Sequence, residues 1–241
     1  TSRDFEAGAF LAAAGADLNL VADTLLRPLD ADAVALLNDF LEHSEVHYLE
    51  GRKVLVATST VDRCRGEAAG VVHRLAELQA VDAVVVALKK RWVATKDAVA
   101  HSFDALQELQ KAGCVRFFFK YCSTFDSADT GNIGPVGDAL LDALKARQAI
   151  YCPAFPVNGR TIFFGHLFVG DVLLSDSHMR HHPLTPMTDA SRVRVLARQT
   201  KHKVGLASLR QVQSGSAELR AALDKLASEG VRHVIVDAVA D

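Results

Sequence analysis

The chain has 241 residues, enough for one large domain or two small ones with a sizeable core. Hydrophobic residues make up 49% and charged residues 23%, ordinary values for a globular protein, and no apolar run approaches the roughly 18–20 residues that a membrane helix needs. Net charge is −2, and no dense Lys/Arg tract with interleaved aromatics marks a nucleic-acid partner. No basic n-region followed by an apolar stretch opens the sequence, so the expected location is cytoplasmic, and the start at Thr1 fits a trimmed chain or a piece of a longer one. The charge is unevenly spread: residues 1–80 carry 7 basic and 13 acidic side chains, a net of −6, and residues 81–241 carry 20 and 16, a net of +4. Any anion site is therefore expected in the second part.

In chain order, segments 3–14, 17–26 and 31–43 repeat apolar residues at three- and four-residue spacing and read as helices, with Gly15 and Pro28 as breaks and Asp30 placed to cap the third. EVHYLEGRKVLVATS reads as a hairpin over 45–59 about Glu50–Gly51, and a helix is expected near 66–79. From residue 82 the pattern becomes strand–helix alternation. DAVVVAL (82–88) is a strand, 94–112 a helix, VRFFFKY (115–121) a strand, 135–146 a helix, and AIYCPAF (149–155) opens with a strand. RTIFFGHLFVGDVLL (160–174) reads as an inserted hairpin turning at Gly170–Asp171. KVGLASL (203–209), a helix at 215–228 and VRHVIVDAV (231–239) complete the series. The fold class expected is α/β: a mostly parallel sheet with helices on both faces (three layers), preceded by an N-terminal helical segment and carrying an inserted β-hairpin. The domain reading is 1–80 and 81–241, or one merged α/β domain joined at the strand 82–88.

Ligands of open α/β sheets gather at the carboxyl ends of the strands, and four polar stretches fall there. Lys89–Lys90–Arg91 follows the strand 82–88; Lys120, Ser123, Thr124 and Asp126 follow the strand 115–119; Asn158, Gly159, Arg160 and Thr161 follow the strand 149–152; Asp237 ends the last strand. Lysine and arginine can neutralise a carboxylate, arginine through a bidentate fork, while Ser123, Thr124, Asp126 and Asn158 can bond sugar hydroxyls. GNIGP (131–135), just before a helix, could present backbone N–H groups to an anion. A small anionic sugar acid is the expected partner, with no nucleic acid and no membrane. Cys64, Cys114, Cys122 and Cys152 lack CxxC spacing and read as reduced core cysteines. His178, His181 and His182 lack a matching set of carboxylates and read as an ordinary loop, so no metal is expected.

FKYCSTFDSADTGNIGPVGDALLDAL, PAFPVNGRT, GHLFVGDVLLSDS and HPLTPMTD resemble, in this order, the N-terminal substrate-binding domain of the four-carbon acid sugar kinases, in the 3-oxo-tetronate kinase branch; the resemblance covers about residues 82–241. It implies a domain that binds four-carbon sugar acids, with Lys89, Arg91, Lys120, Ser123, Thr124 and the 158–161 loop among the contacts. The family's opening ADDxTGA-type motif does not precede Asp82, its KSR-like stretch stands here as Lys89–Lys90–Arg91, and no GxxxxGK[ST] sequence occurs. ATP and magnesium are thus implied only for a complete kinase, no cofactor is expected in this chain, and no catalytic residue is assigned. Residues 1–86 are similar to the middle of a DHH-family phosphoesterase, without that family's metal-binding aspartates or its GGGH stretch. The two resemblances meet near VDAVVVAL (81–88), which raises a chimera, engineered or recombined, joined at a shared strand. Three readings follow: a sugar-acid-binding module that is catalytically incomplete, a chimera with a structural role only, and a fragment of an active kinase that needs a separate ATP-binding domain.

Overall fold

The alternating stretch at 45–59 forms its hairpin: β1 (Ser44–Leu49) pairs antiparallel with β2 (Arg52–Ser59), from Ser44↔Ala57 to Leu49↔Arg52. The apolar run that follows in the sequence, β3 (Ala83–Leu88), joins β2 in parallel, from Val54↔Ala83 to Ser59↔Leu88. α1 (Thr95–Lys111) lies against β3 and buries Ala98, Ser102 and Leu106, a stripe at four-residue spacing. The computed structural model describes residues 44–49, 52–59, 83–88, 93–111, 113–125 and 129–240, within two compact units, Thr1–Phe118 and Phe119–Asp241. The helices read over 3–14, 17–26, 31–43 and 66–79 lie outside the described residues.

The strand expected at 115–121 does not form. Its apolar residues suit a pleated surface, but a strand exists only where a neighbour completes the hydrogen-bond ladder. None of the described strands pairs with it, and Val115 and Phe118 stand 87% and 88% exposed.

The second unit opens with α2 (Ile133–Ala143) and β4 (Ala149–Tyr151). A meander of β5 (Arg160–Phe163), β6 (His166–Val169) and β7 (Val172–Leu173) follows. α3 (Arg192–Gln199), β8 (Lys203–Ala207), α4 (Leu209–Gln213), α5 (Ser216–Ser228) and β9 (Val231–Val236) complete it. β4, β9 and β8 make a parallel sheet in the order β4-β9-β8, with Ala149↔His233 and Tyr151↔Ile235 on one side of β9 and Ala207↔Val236 on the other. Because side chains alternate between faces, Tyr151 and Ile235 pack with Ile133 of α2 and with Val195 and Leu196 of α3, whereas Val234 packs with Leu219, Leu223 and Leu226 of α5. The parallel sheet is flanked by helices on both faces, as the alternation predicts.

The insertion is a three-stranded antiparallel meander rather than a single hairpin. Besides the turn at Gly170–Asp171, β5 and β6 are joined by Phe164 and Gly165 at φ +47° and +70°. Two consecutive positive φ values match the twist of a two-residue hairpin turn, and glycine accepts the second without strain. Phe164 pays no such favour to the backbone, so this turn has to be held from outside. The meander is stitched to the segment just after β9 by Ile162 and Ala238, whose N–H···O bonds are 2.7 and 3.1 Å.

Candidate functional site

The carboxyl edge of the sheet is largely closed by the protein itself. Asp237, leaving β9 fully buried, accepts the N–H groups of Phe164 (2.9 Å), Gly165 (2.8 Å) and Leu209 (2.9 Å). Its carboxylate therefore fastens the positive-φ turn of the meander and the start of α4. The Gly131–Pro135 stretch is committed in part: the Gly134 N–H bonds Oε1 of Gln199 at 2.9 Å and Pro135 has none to give. One N–H of the expected anion cradle is thus taken by a side chain of the fold.

Of the other sequence-derived candidates, Lys89, Arg91 and Asp126 lie outside the described residues. Asn158, Gly159, Arg160 and Thr161 form one tight turn entering β5. Gly159 sits at φ +65° and accepts Gly170 N–H at 2.7 Å, while the Arg160 guanidinium donates to the Asn158 carbonyl and keeps a buried Nε without a hydrogen-bond partner among the described residues. Thr161 pairs with Phe168 of β6. Lys120 is exposed and Ser123 half-buried, whereas Thr124 is buried with its hydroxyl 3.1 Å from Cys122 Sγ. Both groups spring from one core, in which Phe125 and Ile162 are fully buried beside Tyr151.

The 122–125 loop is clamped by a residue that sequence reasoning passed over. Arg192, fully buried at the start of α3, donates to the carbonyls of Ala190 (3.1 Å), Thr124 (3.2 Å) and Asp189, and its guanidinium lies 5.8 Å from the centre of the Phe125 ring. Burial pushes its pKa down to about 10, so it stays cationic at neutral pH. Phe125 itself holds φ +60°, a conformation that persists in a bulky residue only where its surroundings over-determine it.

Beside this clamp, α3 opens onto a cleft of about 810 Å³ lined by Asp129, His166, Ser175, Asp189, Arg194 and Arg198 among others. Arg194 and Arg198 are four residues apart and so share a helix face. Asp189 accepts Arg194 through both oxygens (2.7 and 3.1 Å), Arg198 at 3.1 Å and the Ser191 N–H at 2.9 Å. Burial works to raise the Asp189 pKa, but these donors outweigh it and hold the carboxyl below its ordinary value. Arg198 reaches Asp129 at 3.1 Å with the same NH1 group, and His166 Nδ1 lies 2.8 Å from the Phe164 carbonyl. The quoted motif HPLTPMTD supplies Asp189. The signal for the arginines was Ser191, which caps α3 by accepting the Arg194 N–H at 3.4 Å and is followed by arginines at turn-length spacing.

The family model of the sugar-binding N-terminal domain matches residues 50–241. The chain belongs to that family. A Burkholderia multivorans protein named 3-oxo-tetronate kinase is 58% identical over 172 residues, which are 71% of this chain and 40% of that protein. A solved Haemophilus influenzae protein of the DUF1537 family is 50% identical with a TM-score of 0.65, over 66% of this chain and 39% of that one. A solved DUF1537 domain from Bordetella bronchiseptica, with bound citrate and a swapped dimer, is 26% identical with a TM-score of 0.52, over 67% of this chain and 37% of that one. The chain spans about 40% of the length of the curated relatives it matches and corresponds to their sugar-binding half. The family match begins upstream of β3 and takes in the whole of β2, so it lends no support to a junction at 82–88 or to the phosphoesterase likeness of 1–86.

This sugar-binding domain also contains a buried histidine–aspartate network away from the sequence-derived loops. His233 Nε2 is 2.7 Å from Asp138 Oδ1 and its Nδ1 is 2.9 Å from the Tyr151 hydroxyl; Thr200 donates to both Asp138 oxygens at 2.8 and 2.9 Å. A neutral ring donating to Asp138 and accepting from Tyr151 satisfies every one of these contacts. Burial lowers the His233 pKa against the opposing pull of Asp138, and burial raises that of Tyr151. Among the described residues, no group of three or more His, Cys, Asp or Glu side chains is placed to hold a metal, and no helix is long and apolar enough to cross a membrane.

Proposed function

We propose that this domain holds a four-carbon sugar acid as the substrate-binding half of an ATP-dependent kinase of the 3-oxo-tetronate type. The observation that carries the reading is the family match over residues 50–241, joined to 58% identity with a 3-oxo-tetronate kinase over the part of that protein which this chain represents. The citrate in the Bordetella relative, a small hydroxylated carboxylate, supports a ligand of this class. Lys89, Arg91 and Lys120 are the proposed carboxylate contacts, and Ser123, Thr124, Asp126 and the Asn158–Thr161 turn the proposed hydroxyl contacts. The turn supports this most directly, since Asn158 is exposed at its tip. Thr124 contributes through the shape of its loop, because its hydroxyl is already turned to Cys122. Phosphoryl transfer, with ATP and magnesium, belongs to the complete kinase, and a cytoplasmic setting goes with it.

Calorimetric titration of the chain with four-carbon sugar acids, alongside a thermal melt, tests the reading. Saturable binding of a sugar acid without ATP is expected; a cooperative melt with no binding across the panel would overturn it. A phosphodiester in the same panel tests the phosphoesterase-like reading of residues 1–86, which rests on sequence alone.

A further inference from the structure

We infer that the cleft beside α3 is the seat of the acid, with Arg198 taking its carboxylate and His166, Asp129 and Asp189 accepting its hydroxyls. This rests on the sugar-acid reading and moves its centre from the loops to a cavity that no sequence motif marked as a site.

The donors and acceptors that line the cleft are unequally engaged. Arg194 commits its two-pronged edge: its Nε and NH2 both go to Asp189, which is only 15% exposed as a side chain, so this edge serves to fix the carboxylate. Arg198 is different. It uses NH1 alone, toward Asp129 and Asp189 at 3.1 Å each, and its side chain is 44% exposed. The Nε–NH2 edge, the edge by which arginine grips a carboxylate with two parallel bonds, has no partner among the described residues. His166 makes the complementary offer. In the tautomer that donates from Nδ1 to the carbonyl 2.8 Å away, Nε2 is left to accept, and the residue lines the cleft. Asp129 and Asp189 add carboxylate oxygens, and the Ser175 hydroxyl is a further polar group on the wall.

Charge decides the ligand class. Two arginines face two aspartates, so the cleft carries no surplus to attract a polyphosphate. It offers one open guanidinium edge and several acceptors, which is the complement of one carboxylate on a short chain of hydroxyls. A volume of about 810 Å³ gives a four-carbon acid ample room. The clamp at Arg192 ties this wall to the other candidate loop, because its donors reach both Thr124 and the Asp189–Ala190 backbone.

The test is calorimetry on the whole chain with a four-carbon sugar acid and with the neutral four-carbon polyol of matching stereochemistry. Arg198→Ala is expected to weaken the acid by about tenfold or more, the loss of a charge-assisted pair, while polyol affinity stays within about twofold. Arg198→Lys, which keeps the charge without the two-pronged edge, should fall between. His166→Ala should weaken acid and polyol alike by roughly three- to tenfold, since it removes an acceptor for hydroxyls. Unchanged acid binding in Arg198→Ala and His166→Ala, with loss in Lys120→Ala or Asn158→Ala, would overturn the cleft and leave the sugar-acid reading standing. Absence of binding by the unaltered chain would instead bring down the reading on which the cleft depends. Thermal melts on each variant separate lost contacts from lost folding, and Arg198 is exposed enough that its removal should leave the fold intact.

Discussion

Two histidine–aspartate clusters lie in the second unit, and they differ in what they leave over. Around His233 the inventory closes: Tyr151 and Asp138 each bond one nitrogen of the fully buried ring, and Thr200 donates to Asp138. Around His166 it does not close, because one ring nitrogen and one arginine edge point at no protein partner among the described residues. The same residue types are scaffold in one place and a candidate site in the other. Residue type alone does not separate the two; the count of unspent donors and acceptors does. Asp237 belongs with the scaffold, since three backbone N–H groups occupy it.

Substitutions should therefore divide sharply between the clusters. Asp237→Ala should cost most, about 3–5 kcal/mol, because it strands three N–H groups and frees a turn that holds Phe164 at positive φ; urea denaturation measures it. Gly137→Ala comes next. A Cβ there would stand 2.1 Å from the Tyr151 hydroxyl oxygen, so a loss of about 2–3 kcal/mol is expected, and Tyr151→Phe in the same chain should recover part of it. Full additivity of the two changes would show that the hydroxyl is not what the methyl meets.

A pH dependence should follow from His233. Its native pKa lies below the 6.5 of an exposed imidazole because burial disfavours the charged ring. As pH falls past 6.5 the unfolded chain takes up this proton first, so stability should decline with acidification until the native value is reached, then level off. Denaturation midpoints between pH 7.5 and 5 test this above the range where the lowered carboxyl of Asp189 adds its own loss. Constant or rising stability over that window would contradict it. The smallest effect on folding is expected at Arg198→Ala, within about 0.5 kcal/mol for an exposed ion pair, even though the same change is expected to weaken acid binding strongly.

Much of the fold was legible because hydrophobic period and turn chemistry are local. The hairpin at 45–59, the strand at 83–88 and the sheet strands at 149–151, 203–207 and 231–236 all fall within stretches read as strands. The strand expected at 115–121 failed because its ladder depends on a neighbour rather than on its own apolar residues. The second turn of the meander was missed because Phe164 at positive φ is no turn signal; it is imposed by Asp237, 73 residues away in sequence. Part of the site was hidden for the same reason. No sequence motif singles out Arg192, Arg194 and Arg198, and only the folded chain shows that the first is buried as a clamp, the second paired with Asp189 and the third half-open.

The most direct measurement is the calorimetric titration of the unaltered chain with a four-carbon sugar acid, run beside the neutral polyol. A sugar-binding domain of this kind should bind the acid saturably and more tightly than the polyol, with no requirement for ATP. Equal affinity for the two, or no binding of either by a chain that melts cooperatively, would contradict the account.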